Sequence, residues 1–162
     1  MMPISSNLQA LLRLKSIIET DMKILIIEAR FYEDISDALL EGALKVLNDA
    51  GADIDRIEVP GALEIPHVIS YAEAGNGAYD GYVALGCVIR GETTHYDYVC
   101  QESARAIMDL AVHQQLAIGN GIITVENADQ AWARARIDKK DKGGFAADAV
   151  LKMIRIKQEM GL

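Results

Sequence analysis

The sequence predicts an α/β fold, a three-layer α/β/α sandwich in which a four-stranded parallel sheet carries helices on both faces. Four strand-length apolar segments alternate with segments whose apolar residues recur at helical spacing. The connections between them are short, which is typical of parallel strands joined by right-handed helical crossovers. The first strand is a nearly continuous apolar run, as expected where both faces of a sheet are covered.

Turn signals separate the strands along the chain. Pro60 ends the second strand, and Gly61 lets the backbone come close to a ligand. This strand is shorter and more polar than the first, which favours a place at the sheet edge. Gly119 and Gly121 interrupt the fourth strand, which indicates a bulge or a close approach by a ligand or another chain. The predicted strands cover residues 22–28, 54–59, 81–89 and 118–125.

Five helices follow from apolar spacing and from residues typical of helix ends. The first begins near Asp34 and is stopped by Gly51, and Pro66 fits the first turn of the second helix. The third covers residues 96–115, and Asn127 caps the start of the fourth. The residues expected on the buried face of the last helix are Ala146, Ala149, Val150, Met153, Ile154 and Met160.

Length and composition limit the class of protein. At 162 residues the chain can form one domain with a sizeable core, which we assign to residues 22–162. Residues 1–21 are an N-terminal extension, either helical or disordered. The net charge of −8 argues against broad nucleic-acid binding, and no segment has the length of a membrane span. Cys87 and Cys100 have neither metal-like nor C-x-x-C spacing, which favours free thiols in a reducing cytoplasm.

Polar side chains follow the carboxyl ends of the predicted strands, where open parallel sheets bind ligands. The densest group is the loop of residues 90–95, between the third strand and its helix. The free N–H groups of the helix start and the Thr93 and Thr94 hydroxyls form a natural anion site. His95 stands where a proton could pass to a ligand. The alternative is an ordinary threonine cap beside a loop histidine. Other residues at this edge are Phe31, Glu126 and residues 61–64.

Signatures of several common ligand sites are absent from the sequence. It contains neither a Walker A motif nor a G-x-G-x-x-G motif, which argues against a nucleoside triphosphate or a dinucleotide. His67, His95 and His113 are far apart and do not form a metal motif.

Taken together, the loops closely resemble the lumazine synthase (6,7-dimethyl-8-ribityllumazine synthase) family. The resemblance runs from about Met22 to Met160, and it implies a flavodoxin-like fold. It also implies the penultimate step of riboflavin biosynthesis, without metal or organic cofactor. In this reaction, 5-amino-6-(D-ribitylamino)uracil condenses with 3,4-dihydroxy-2-butanone 4-phosphate to give the lumazine, phosphate and water. The matching motifs are residues 29–32, 59–66, 86–99, 121–127 and 141–144.

The resemblance also assigns roles to residues of this sequence. His95 matches the catalytic histidine, since imidazole moves protons near neutral pH. Phe31 matches the aromatic residue that stacks on the pyrimidine ring. Glu92 and Thr93 match the phosphate loop, and Arg134 matches a guanidinium that clamps the phosphate across a subunit boundary. The remaining substrate-binding matches are Ala62, Leu63, Glu64, Cys87, Val88, Ile89 and Asn120.

The chain departs from the family pattern at several positions. Many members have Phe at the position of Asn120, and that side chain contributes to the site of a neighbouring subunit. Asn120 can hydrogen-bond a ring edge but cannot stack. Leu63 replaces a frequent Phe and keeps only the apolar contact. Residues 137–141 replace a glycine-containing turn that sets pentamer contacts in sixty-subunit shells. We therefore expect a homo-oligomer with sites at subunit interfaces, a pentamer rather than a 60-mer. Lys142 matches a basic residue near the phosphate, or is a solvated surface lysine.

Two other classes of protein share parts of this pattern. A non-catalytic protein that binds a flavin or lumazine would not need His95, Arg134 and Glu64 together. A receiver-type signalling domain shares the β/α alternation and the acidity, but it needs aspartates at its strand ends, and the first strand here ends in Glu-Ala-Arg. An enzyme acting on small-molecule substrates in the cytoplasm is therefore the leading hypothesis.

Overall fold

Four parallel strands form one sheet in the order β2-β1-β3-β4 in a computed structural model that describes residues 22–162. The predicted extension, residues 1–21, lies outside the described residues. This order matches the start of the flavodoxin-like order 2-1-3-4-5, whose ligands bind where the order reverses, between β1 and β3. The strands are β1 (Lys23–Ala29), β2 (Asp53–Val59), β3 (Gly81–Ile89) and β4 (Ile118–Val125).

Helices cover both faces of this sheet, which confirms the predicted three-layer sandwich. Helices α1, α4 and α5 pack on one face, and α2 and α3 pack on the other. His95, which we placed in the preceding loop, is the first residue of α3, and Lys142 likewise opens α5. The helices are α1 (Glu33–Asp49), α2 (Ile65–Ala74), α3 (His95–His113), α4 (Ala128–Ala135) and α5 (Lys142–Glu159), with a 3-10 turn at Ala62–Glu64.

Strand β1 supplies both cores, because its side chains alternate between the two faces. Ile24 and Ile26 pack under α1 and α5, whereas Leu25 and Ile27 join the core beneath α2, and all four are fully buried. Strand β2 is mostly exposed and forms one edge of the sheet, as its polar sequence predicted. Within residues 22–162, no helix is long and apolar enough to cross a membrane.

The glycines of β4 allow close packing within the chain rather than a bulge. The pairing of β3 with β4 is continuous, so the strand has no bulge. A Cβ at Gly119 would lie 2.0 Å from the Ala146 carbonyl oxygen, and one at Gly121 would lie 3.0 Å from the Ala146 Cβ. The close approach is therefore made by the chain's own helix α5. The bulge expected here is not formed, whereas an approach by a ligand or another chain stays a prediction.

The buried face of α5 is narrower than predicted. Ala146, Val150 and Ile154 are buried at helical spacing of four residues. Met153 and Met160, which we also assigned to this face, are 43% and 73% exposed. Met153 points about 100° around the helix from Ile154, and Met160 follows the last helical residue, which accounts for their exposure.

Substitution of Gly119 by Ala is expected to separate α5 from β4. The new methyl group would meet a backbone carbonyl, which cannot move aside as a side chain can. We expect the free energy of unfolding to fall by about 1–3 kcal/mol or more, measured by urea denaturation at a fixed protein concentration. The matched control is Gly91→Ala, because a Cβ there meets nothing within 4 Å. Equal stability of the two variants would contradict the packing role of Gly119.

Candidate functional site

A pocket of about 480 Å³ opens at the carboxyl edge of the sheet, beside β1, β2 and β3. These strands are neighbours in the sheet, so the loops that follow them meet in space. The pocket brings together eight residues predicted for the site. They are Phe31, Ala62, Leu63, Glu64, Cys87, Val88, Ile89 and His95.

Gly61 also lines the pocket, at the edge where the sequence analysis expected a ligand to approach it. Three further pocket residues were not assigned to the site from the sequence. Pro60 follows β2 directly, so its position at a strand end was the available signal. Val99 follows His95 by one helical turn and therefore lies on the same face of α3. Tyr32 packs against the core, and its ring meets that of Phe31 edge-on, with centroids 5.0 Å apart.

His95 occupies the first position of α3, where its side chain joins the pocket and remains exposed. Its backbone N–H donates to the Thr93 hydroxyl at 3.3 Å, so Thr93 supports the helix start. A hydroxyl that accepts in this way keeps its own hydrogen free to donate to an anion. Capping and anion binding by Thr93 are therefore compatible. Thr94 occupies the cap position without a side-chain hydrogen bond.

Arg90 connects the loop before α3 to two other elements. Its Nε donates to Glu126 beyond β4 at 2.8 Å, and Nη1 donates to Asp97 in α3 at 3.3 Å. The guanidinium carbon also lies 4.2 Å from the ring centroid of Tyr96. The Arg90 side chain thus links the ends of β3 and β4 to the first turn of α3. The loop that precedes His95 runs between β3 and α3, so Arg90 contacts the elements at both of its ends.

Cys87 forms part of the pocket wall. Burial raises the pKa of the Cys87 thiol to about 11, so the thiol is protonated near neutral pH. Burial also raises the pKa of Cys100, which lies on α3. Both cysteines are free, as the sequence predicted. A protonated, buried thiol is a packing group rather than a nucleophile.

The other predicted site residues are not among the described residues that line this pocket. Glu92 and Thr93 stand on the exposed loop just before His95. Arg134 lies on α4 and donates to the Gln130 carbonyl at 3.1 Å. Asn120 is exposed on β4, where its Oδ1 accepts from the Ile122 N–H at 3.0 Å. These residues are Glu92, Thr93, Asn120 and Arg134.

Two further observations concern the chemistry of the site. Lys142 opens α5, and its ammonium lies 4.8 Å from the ring centroid of Phe145. Within residues 22–162, no three or more His, Cys, Asp or Glu side chains are grouped as metal ligands would be. The groups at the pocket that can act chemically are an imidazole, a carboxylate and an exposed aromatic ring.

Fold and pocket define an α/β protein with an open pocket at the carboxyl edge of a parallel sheet, lined in part by an imidazole. Residues 21–158 match the family described as 6,7-dimethyl-8-ribityllumazine synthase. The chain therefore belongs to this family, as the resemblance predicted.

Individual relatives agree with this assignment. The chain is 63% identical over 138 residues to the 6,7-dimethyl-8-ribityllumazine synthase of Bartonella tribocorum, covering 85% of this chain and 91% of that protein. It is 61% identical over 142 residues to 6,7-dimethyl-8-ribityllumazine synthase 1 of Rhizobium meliloti, covering 85% and 93%. It is 55% identical over 145 residues to the 6,7-dimethyl-8-ribityllumazine synthase of Afipia carboxidovorans, covering 87% and 89%.

Replacement of Arg90 by Gln is expected to loosen the loop before α3, because the contacts to Glu126, Asp97 and Tyr96 are lost together. Amide hydrogen exchange of residues 91–96 should become several-fold faster, while exchange in β1 stays unchanged. The matched control is Arg105→Gln, since Arg105 bonds only within α3, to Glu102 and Asp109. Unchanged exchange in residues 91–96 would exclude this role for Arg90.

Proposed function

We propose that this chain condenses 5-amino-6-(D-ribitylamino)uracil with 3,4-dihydroxy-2-butanone 4-phosphate, using the pocket at the carboxyl edge. The products are 6,7-dimethyl-8-ribityllumazine, phosphate and water. Family membership makes the chain an enzyme, a transferase of riboflavin biosynthesis. The observation that carries the assignment to this pocket is that Phe31, Glu64 and His95 line it together, although they lie in three separate segments of the chain.

Each of these side chains has a role that suits its chemistry. The exposed ring of Phe31 stacks on the flat pyrimidine. Glu64 accepts hydrogen bonds from the ribityl hydroxyls, and the backbone at the end of β3 contacts the ring edge. His95 transfers protons during imine formation, phosphate elimination and ring closure. Much of the remaining acceleration comes from holding two substrates side by side.

The phosphate binds at the loop before α3, under this proposal. Thr93 donates from its hydroxyl, and backbone N–H groups at the helix start add further donors. The Glu92 carboxylate would repel a phosphate, so this residue contributes its N–H. Arg134 of the neighbouring subunit supplies the guanidinium. Arg134 is absent from the pocket wall of its own chain, which supports a contribution to another one.

The proposal includes the assembly and the compartment. We place Asn120, like Arg134, at the site of a neighbouring subunit, where its amide contacts a ring edge. A pentamer is favoured over a 60-mer, because residues 137–141 lack the glycine-containing turn described above. Asp138 in this turn forms an ion pair at 2.8 Å with Arg136, which directly precedes the turn. Two free cysteines fit a reducing cytoplasm.

The first experiment mixes the purified chain with both substrates and follows lumazine by absorbance and fluorescence. We expect turnover, and His95→Ala should lower kcat by about a hundredfold to ten-thousandfold, the range of general acid–base catalysis. Arg134→Ala should mainly raise the KM for the four-carbon phosphate. His113→Ala at the other end of α3 and Arg155→Ala on α5, both exposed, are the matched controls. Tight lumazine binding without turnover would instead support the non-catalytic binding protein.

A second experiment tests the shared site. Equal amounts of His95→Ala and Arg134→Ala chains are unfolded together, reassembled, and assayed. In a randomly mixed ring about a quarter of the interfaces pair an intact His95 with an intact Arg134, so about a quarter of the wild-type activity should return. Native mass spectrometry of the same samples should show five subunits. Reassembled pentamers without recovered activity would place both residues of one site in the same chain.

A further inference from the structure

Three charged side chains, Glu28, Arg30 and Arg56, form a cluster next to the turn that carries Phe31. Glu28 is 2% exposed at the end of β1, directly after four fully buried apolar residues. Its Oε1 accepts from Arg30 Nη1 at 2.9 Å, and its Oε2 accepts from Arg56 Nε on β2 at 2.8 Å. Both carboxylate oxygens are therefore paired with guanidinium groups.

This arrangement is not explained by stability alone. Removing a carboxylate from water is costly, and a buried ion pair stabilises a fold no better than apolar residues of the same volume. An apolar residue at this position would continue the pattern of β1. A buried pair does, however, restrict its members to one geometry, because losing either partner leaves an uncompensated charge.

Arg30 extends this fixed geometry to the turn that carries Phe31. Its guanidinium, whose side chain is 16% exposed, also donates to Asp37 in α1. Arg30 therefore connects the end of β1 to the first turns of α1. Tyr32, on the other side of Phe31, packs against the core. The neighbours of Phe31 on both sides are thus anchored.

Packing fixes the Phe31 ring only weakly, because the residue is 73% exposed. Its contact with Tyr32 is edge-on, with an interplanar angle of 74°. The direction of an exposed aromatic ring depends on the backbone that carries it. We propose that Glu28 is a positioning residue, which holds Arg30 and thereby presents the Phe31 ring to the pyrimidine substrate. This inference rests on the proposed function of the pocket.

The test is Glu28→Gln, which keeps the shape but removes the charge and turns an amide NH₂ toward an arginine. We expect the KM for the ribitylaminouracil to rise about fivefold to tenfold, with kcat and the KM for the four-carbon phosphate within about twofold of wild type. The dissociation constant for the lumazine, measured by fluorescence titration, should rise in parallel. Glu102→Gln is the matched control, because Glu102 pairs with Arg105 on the exposed surface of α3.

A double variant separates positioning from general loosening. If Glu28 acts through the Phe31 ring, adding Glu28→Gln to Phe31→Ala should change the KM for the ribitylaminouracil no further. A further rise of the same size in the double variant would overturn the inference. So would a fall in kcat at unchanged KM values, since this indicates only less folded enzyme. Should Glu28→Gln fail to fold, Asp37→Asn weakens the same link from the exposed side and has the same expected KM pattern.

The outcomes also separate this inference from the proposed function. Wild-type turnover together with a wild-type KM for Glu28→Gln would overturn the positioning role and leave the function standing. Absence of wild-type turnover would overturn the function alone. In that case lumazine titrations of wild type and Glu28→Gln still decide the role of Glu28, because weaker binding supports it and equal binding overturns it.

Discussion

Burial of β1 on both faces is the constraint on which the rest of the structure depends. A strand covered by helices on either side excludes polar groups along its length, so functional side chains collect in the loops at its end. The parallel arrangement brings the ends of β1, β2 and β3 to one edge. Phe31, Glu64 and His95 are distant in sequence and line one pocket for this reason. Glu28 is the single charged side chain within β1 that is buried, and it lies next to that edge.

The sequence predicted the positions of residues whose environment depends on their neighbours in the chain. It did not predict the roles of residues whose environment depends on packing against distant segments. The bounds of β3 and β4 follow from apolar runs flanked by turn residues, and both were predicted correctly. The role of Gly119 depends on the carbonyl of Ala146 in α5, which no local pattern reveals. Arg90 meets Glu126 only because β3 and β4 pair, so its linking role also needed the structure.

Arg90 and Arg30 are held by ion pairs that differ in burial. Arg90 is partly exposed, so its ion pairs are screened by salt, and its packing on Tyr96 supplies a contact that salt weakens less. Glu28 is buried and its pair with Arg30 is shielded from solvent ions. The loop before His95 is thus held by partly exposed contacts that salt weakens, whereas the turn before Phe31 is held by a buried pair. This difference suits the roles proposed above for the loop and the turn.

The open side of the pocket gives the proposed shared site a physical reason. Phe31 and His95 are exposed in the single chain, and Leu63 is 38% exposed. Imine formation releases water, and a site flooded with water would favour the reverse step and weaken every polar contact to the substrate. A neighbouring subunit that brings Arg134 to the phosphate would also cover these side chains. Assembly would then bring a guanidinium to the proposed phosphate site and exclude solvent from it in one step, so that the local charge would oppose the net charge of −8 on the chain.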